Sequence, residues 1–337
     1  MSESFVQSSY KLEDSTFEVP LRPQKITDFM GQKKIQERLN IFLGAAKQRN
    51  EAINHTLFSG PPGLGKTTLA HIISKTMGTN ITVTSGPVLE KPTDLAGVLT
   101  NLNDKDILFI DEIHRLPRSI EEYLYPAMED FVLDLLIDSG PNARSVQIKL
   151  NKFTLIGATT RAGLLSSPLR SRFLFHARLD FYEPEILAKI ISRSSSILKI
   201  PATDDAAILI AQSSRGTPRI ANNLLRWIRD FAQMNQLKII DKVTAKKALE
   251  MLSIDNQGLD EIDKKILSII IDNYNGGPVG LQTLSVALNE ETSTLIEIYE
   301  PYLVMKGFLN LTKRGREATK LAYEHLNKSY KNNGENL

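Results

Sequence analysis

Eight residues, "GPPGLGKT" from Gly60 to Thr67, hold a spacing that can do chemistry. They follow the apolar run "LFS" and precede a helix-like stretch, the setting a G-x-x-x-x-G-K-[ST] phosphate loop requires. Gly60, Gly63 and Gly65 let the backbone curl so that its amides face inward. Lys66 would reach the β- and γ-phosphates, and Thr67 would offer its hydroxyl to Mg²⁺. The helix that follows would turn its positive end to the anion. The alternative is a chance Gly-rich turn. The strand, the spacing and the Lys-Thr pair together argue against it.

A second set of residues could act on what that loop holds. "DILFIDEIHR" runs four apolar residues, Ile107 to Ile110, into Asp111 and Glu112. A buried strand ending this way delivers two carboxylates to the carboxyl edge of a sheet, where open α/β folds bind ligands. Asp111 would join the Mg²⁺ shell, and Glu112 would orient and polarise an attacking water. Alone, the pair reads as well as a helix cap. "FTLIGATTRAG" offers Thr160 to a γ-phosphate or water, although without the other motifs an ordinary strand exit is the better reading. "SSPLRSRF" carries Arg170 and Arg172, each either an arginine finger for a neighbouring subunit or a surface ion pair. "SRGTPRIANNLL" sets Arg219 at the start of a helix.

Positioning these groups takes a sheet. "HTLFSG", "NITVTSG", "DILFIDE", "FTLIGATT" and "FHARLDF" read as buried strands alternating with helical segments, which implies five parallel strands in an α/β domain over residues 1–181. Residues 131–151 form an inserted hairpin, with "SGPNAR" as its turn. Val146, Ile148 and Leu150 alternate with polar residues, so one hairpin face is apolar, turned either to the core or to a partner. Residues 182–255 read as a small all-α domain, with Trp227 in its core. Residues 256–337 read as short helices ending in a basic turn.

The chain has 337 residues, 42% hydrophobic and 24% charged, with a net charge of +2 and no cysteine. Disulfides and thiolate zinc sites are excluded, and a reducing cytoplasm fits. No apolar window suits a membrane span. The five histidines are scattered without metal-ligand spacing. The polar first 15 residues are expected to be disordered. Charge is concentrated late: residues 306–331 hold seven Lys/Arg against two Glu. There, Ile262, Ile266, Leu267 and Ile270 make one helical stripe, "LQTLSVALN" a second helix and "TSTLIEIYEPYLVMKG" a third, closed by Gly307. With "GFLNLTKRGREATK" after them they make a winged helix. Lys313, Arg314 and Arg316 on the wing would contact phosphates. A winged helix that binds protein fits the pattern equally.

Taken together, "GPPGLGKTTLA", "TSGPVLEKPTDLAGVLTNL", "LFIDEIHRL", "YPAMED", "IGATTRAG", "RGTPRIANNLL", "GGPVGL" and "EPYL" resemble the RuvB family of AAA+ ATPases over nearly the whole chain. The resemblance implies an ATP-dependent motor for Holliday junction branch migration in recombination, DNA repair and the SOS response. It implies a homo-hexamer on duplex DNA, a RuvA-like junction-binding partner and a RuvC-like resolvase in the same complex. ATP and Mg²⁺ would be its cofactors. Residue by residue, it assigns Gly63, Gly65, Lys66, Thr67 and Thr68 to the nucleotide loop and Asp111 and Glu112 to the metal and water. It makes Thr160 a polar sensor, Arg172 the arginine finger and Arg219 a second sensor. Leu21, Arg22, Glu129, Asp130, Phe131 and Tyr182 join the nucleotide site. Val146 and Ile148 would face outward to dock the partner. Ser171 and Leu174 depart from the family's usual "LRDRFG", and Thr292 and Leu311 stand where members often carry Arg. The competing function is an AAA+ switch or clamp-loader-like ATPase whose winged helix binds protein.

Overall fold

A computed structural model describes residues 4–11, 19–137 and 144–330. The chain forms two compact units. The described residues of 22–180 make one, and residues 4–11, 19–21 and 181–330 make the other.

The first unit is built on five strands: β1 (Thr56–Ser59), β2 (Ile81–Ser85), β3 (Ile107–Asp111), β6 (Thr154–Thr159) and β7 (Phe175–Arg178). All pair in parallel, in the order β2-β3-β6-β1-β7. Burial follows position in the sheet. All six residues of central β6 are buried, as are the first four of β3, whereas edge strand β7 alternates buried and exposed. Helices cover a parallel sheet on both faces, so its inner strands read as continuous apolar runs. The first residues after β1, β3 and β6 therefore emerge side by side at one sheet edge.

The hairpin is β4 (Val132–Ile137) with β5 (Arg144–Lys149), antiparallel and in register Leu133 to Ile148. Residues 139–143 of the expected turn lie outside the described residues. Leu133 is fully buried and Leu150 nearly so, and Ile148 packs half-buried against the same core. Val146 is 42% exposed. The apolar face is thus both things at once, core at the hairpin's base and open surface farther out. Ile148, half-buried, lies nearer the base than Val146.

The second unit holds the helical domain: Pro184–Ile197, Asp204–Gln212, Pro218–Met234 and Lys242–Glu250. Thr203, Thr217 and Asp241 cap the last three by accepting from Ala206, Ile220 and Thr244 amides. Trp227 is only half-buried, and its indole donates to the Ala248 carbonyl at 2.8 Å. The winged helix follows, with helices Glu261–Tyr274 and Leu281–Leu288, then a third from Thr292 to Met305. The third contains a π turn at Leu295–Tyr299, separated from Pro301 by Glu300 alone. Proline lacks an amide proton and its ring crowds the carbonyl four residues back, so a locally widened turn relieves it. β8 (Leu309–Thr312) and β9 (Gly315–Ala318) form the wing.

The N-terminus departs from expectation. Phe5–Lys11 is a helix, with Val6 and Ser9 buried. It packs on helix Pro218–Met234, and Asn223 donates to the Ser9 carbonyl at 3.4 Å. One apolar stripe and backbone partners suffice for a short helix to dock, which polar composition alone does not reveal.

Candidate nucleotide and DNA sites

Strand β1 delivers the loop Gly60–Gly65 to the sheet edge. Gly63 and Gly65 have φ of 78° and 97°, in the left-handed region that favours glycine. A Cβ on Gly60 would lie 2.3 Å from the Leu179 carbonyl oxygen, so that glycine serves close packing as well. Gly65 is the N-cap of helix Lys66–Met77 and provides no side-chain cap. The first amides of that helix are therefore available to an anion. Lys66 is 7% exposed, and its ammonium donates to the Gly60 and Pro61 carbonyls, both at 2.8 Å. Thr67 and Thr68 are half-buried at the start of the helix.

Asp111 and Glu112 leave β3 two strands away. The Asp111 carboxylate accepts from the Glu112 amide at 2.8 Å, and Glu112 takes a left-handed backbone, φ 45° and ψ 42°. The Glu112 carboxylate accepts from Arg115 at 2.9 Å. Thr160 follows β6, which lies between β1 and β3. Its hydroxyl oxygen is buried with no hydrogen-bond partner among the described residues, an orphan that a γ-phosphate or water would satisfy. The side chains fit a nucleotide with Mg²⁺. Thr67 and Asp111 offer oxygen donors, the type Mg²⁺ prefers. Among the described residues no cluster of three His, Cys, Asp or Glu side chains could hold a metal by itself. Were Mg²⁺ to bind, the rest of its coordination would come from phosphate and water.

Arg172 caps the short helix Ser167–Ser171. It donates to the Pro168 carbonyl at 2.7 Å and to Glu129 at 3.0 Å, and its guanidinium lies 4.4 Å from the Tyr125 ring centroid. Its Nε is buried without a partner among the described residues. Glu129 and Asp130 are exposed, and Phe131 packs half-buried on the core. Arg170 is exposed, and so is Leu174 at 72%. Arg22 belongs to the same unit. Burial first, and then the Arg22 charge, push His71 on the loop's helix below its ordinary pKa.

Leu21, Tyr182 and Arg219 belong to the second unit. The buried Leu21 presents its carbonyl to Arg193 at 2.8 Å. The amide of buried Tyr182 donates to the Gly216 carbonyl at 2.8 Å. Arg219 lies in the first turn of helix Pro218–Met234, half-buried.

The wing divides the three expected phosphate contacts. Lys313 and Arg314 are exposed in the β8–β9 turn. Arg316 on β9 instead forks onto Glu300, at 2.7 and 3.2 Å, with 19% of its side chain exposed. Its guanidinium is held by Glu300 on one side and keeps part of its surface open. Sequence reasoning also passed over Arg115, His114 and Tyr125. His114 pairs with Thr159 at 3.0 Å. The spacing signal was present, since Arg115 follows Glu112 by three residues in "DEIHR".

Three family models match in order. The Holliday junction DNA helicase RuvB P-loop domain matches residues 21–179, the RuvB AAA lid domain 182–255 and the RuvB C-terminal winged helix domain 256–327. The chain belongs to the RuvB family. The Holliday junction branch migration complex subunit RuvB of Protochlamydia amoebophila is 60% identical over 326 residues, which are 97% of this chain and 98% of that one. The subunit of the same name from Chlamydia trachomatis is 58% identical, over 95% and 96% of the two chains. The structure of the Thermotoga maritima RuvB Holliday junction branch migration motor superposes with a TM-score of 0.85 at 50% identity, covering 92% of this chain and 99% of that one. An ADP complex of the FIGL-1 AAA domain shares the fold, at 16% identity and a TM-score of 0.52. As a RuvB-family chain, this protein is an AAA+ P-loop ATPase that binds nucleotide. No helix among the described residues is long and apolar enough to cross a membrane.

Proposed function

We propose that this protein is an ATP-driven motor that migrates Holliday junctions, working as a homo-hexameric ring on duplex DNA in recombination and repair. The observation that carries this reading is the order of its parts. A complete phosphate loop, an acidic pair and a polar sensor share one sheet edge, and a lid and a basic-tipped winged helix follow in the same chain.

In this reading the loop amides and Lys66 hold the triphosphate, with Lys66 exchanging its carbonyl partners for phosphate oxygens. Thr67 and Asp111 would hold Mg²⁺, which when bound would neutralise charge at the phosphates. Glu112 orients the water and Thr160 hydrogen-bonds at the γ-phosphate position. Arg172 serves the neighbouring subunit's nucleotide. Leu21, Arg22, Tyr182 and Arg219 frame the nucleotide. Glu129, Asp130 and Phe131 complete it from the surface that carries Arg172. Lys313 and Arg314 grip DNA phosphates, with Arg316, braced by Glu300, beside them on the wing. Val146 docks a RuvA-like partner, and a RuvC-like resolvase acts in the same cytoplasmic complex.

The test is ATP hydrolysis with and without duplex DNA at low salt. Stimulation by DNA supports the motor. A rate indifferent to DNA supports instead a switch whose winged helix binds protein.

A further inference from the structure

The largest fully buried side chain in the described structure is a charged one, Arg215, at 1% exposure. It stands in the loop between helices Asp204–Gln212 and Pro218–Met234 of the lid. Its guanidinium does not stay in the lid. It donates to Asp263 at 2.6 Å and to the Ile298 carbonyl at 3.1 Å, and it lies 4.5 Å from the Tyr302 ring centroid. All three partners belong to the winged helix. Asp263 is itself fully buried and closes a capping box with Asp260 at the head of helix Glu261–Tyr274. Ile298 lies inside the π turn of the third helix. One side chain therefore holds two helices of the DNA-binding domain.

The other end of the connection is the loop's backbone. Arg215 and Gly216 both adopt left-handed conformations, φ 52° and 69°. The Gly216 carbonyl accepts from the Tyr182 amide, and a Cβ on Gly216 would lie 2.9 Å from Phe181. Arg219 follows three residues on. Burial pushes the Asp263 carboxyl up, to about 8, against the pull of Arg215. Arg215 is the strongest influence favouring the charged carboxylate against that burial. A fully buried ion pair is a poor device for stability alone, because desolvation offsets most of its attraction. A forked, directional contact does suit fixing one domain's orientation to another's.

We infer that Arg215 is a positioning residue that transmits the state of the Tyr182–Gly216–Arg219 loop to the winged helix, through its fork onto Asp263 and Ile298. This rests on the reading of Tyr182 and Arg219 as nucleotide-framing residues. A lid that moves on hydrolysis then carries the DNA-binding domain with it as one body. Loss of the fork leaves hydrolysis intact and disconnects it from DNA.

The test compares full-length wild type with Arg215→Lys, which keeps the charge and loses the fork. Arg215→Met/Asp263→Leu, which removes both buried charges, is the second variant should the first fail to fold. Circular dichroism reports folding. ATP hydrolysis is measured alone and with duplex DNA, and junction dissociation is expressed per ATP consumed. The expected result is basal kcat and KM within about twofold and coupling down roughly five- to tenfold, the size of an ordinary inter-site coupling. Unchanged coupling in a folded variant overturns the inference. So does a proportional fall of basal rate and coupling, because that marks a purely structural role. If wild type itself shows no DNA response, the motor reading fails first and the inference falls with it.

Discussion

Arg316 and Glu300 form a two-toothed pair, at 2.7 and 3.2 Å, that ties wing strand β9 to helix Glu300–Met305. Glu300 is 5% exposed, so the pair is largely shielded from water. The wing's positive charge is therefore divided between one residue that builds the domain and two, Lys313 and Arg314, that face outward.

That division predicts two different phenotypes. Replacing both Lys313 and Arg314 with Ala should weaken duplex binding across all sequences and reduce the log–log salt slope by about 2, roughly 0.9 per phosphate contact. Stability should change by less than about 0.5 kcal/mol. Arg316→Ala should instead destabilise the fold by on the order of 2–3 kcal/mol, since it strands a buried carboxylate. Binding titrations at several salt concentrations, with thermal melts, separate the two. A normal melt for Arg316→Ala would contradict the assignment.

Arg172 presents a similar question in the ATPase unit. Its guanidinium lies over Tyr125 and pairs with Glu129, so it is held in place before any neighbour arrives. Arg172→Ala should lower hydrolysis by the assembled protein about 10³-fold, the lower range for an arginine finger, while nucleotide affinity changes little. Mixing Arg172→Ala with Lys66→Ala subunits should restore part of the activity, since each supplies what the other lacks. An absence of complementation with intact assembly would place Arg172 outside the neighbour's site.

The hairpin predicts a contrast along one face. Leu133→Ala, at the buried base, should cost about 2–5 kcal/mol. Val146→Asp, on the open stretch, should leave the melt nearly unchanged and remove stimulation by a RuvA-like partner. Equal loss of stability in both variants would show the face to be core throughout.

His55 gives a pH dependence. Its Nδ1 accepts from the Leu155 amide at 2.8 Å, so Nε2 carries the proton and donates to the Met128 carbonyl. Burial lowers its pKa, only partly offset by that carbonyl. The folded state thus binds its extra proton less readily than the unfolded chain. Stability should be full above pH 6.5 and fall as pH drops below it, by at most about 1.4 kcal/mol per pH unit from this group. Melts of wild type and His55→Asn from pH 7.5 to 5.5 check this. The acid-side slope should shrink in the variant.

Much of this was legible in the sequence because buried parallel strands are continuous apolar runs. "DILFID" could only be an inner strand, and its last residue could only reach the sheet edge. The placement of Lys66, Asp111 and Thr160 beyond strand ends at that edge follows from that logic, whereas their roles do not. Arg215 does not, because a buried arginine and a solvated one look alike in "SSRGTPR". The commitment of Arg316 to Glu300 was hidden for the same reason. The hairpin resisted reading because one alternating pattern serves core at one end and surface at the other. The helix Phe5–Lys11 was missed because composition averages over the single stripe that docks it.

The most direct measurement is ATP-driven dissociation of a synthetic four-way junction, with and without a RuvA-like partner, set beside the same reaction with Lys66→Ala and Glu112→Gln. Wild type should separate the junction into duplexes only when ATP and Mg²⁺ are present, and faster with the partner. Glu112→Gln should bind ATP yet hydrolyse it roughly 10²–10⁴-fold more slowly, as expected on removing a general base, and Lys66→Ala should be inactive. A junction left intact by wild type with its partner and ATP, while ATP is consumed at the usual rate, would contradict the assignment of this ATPase as a branch-migration motor.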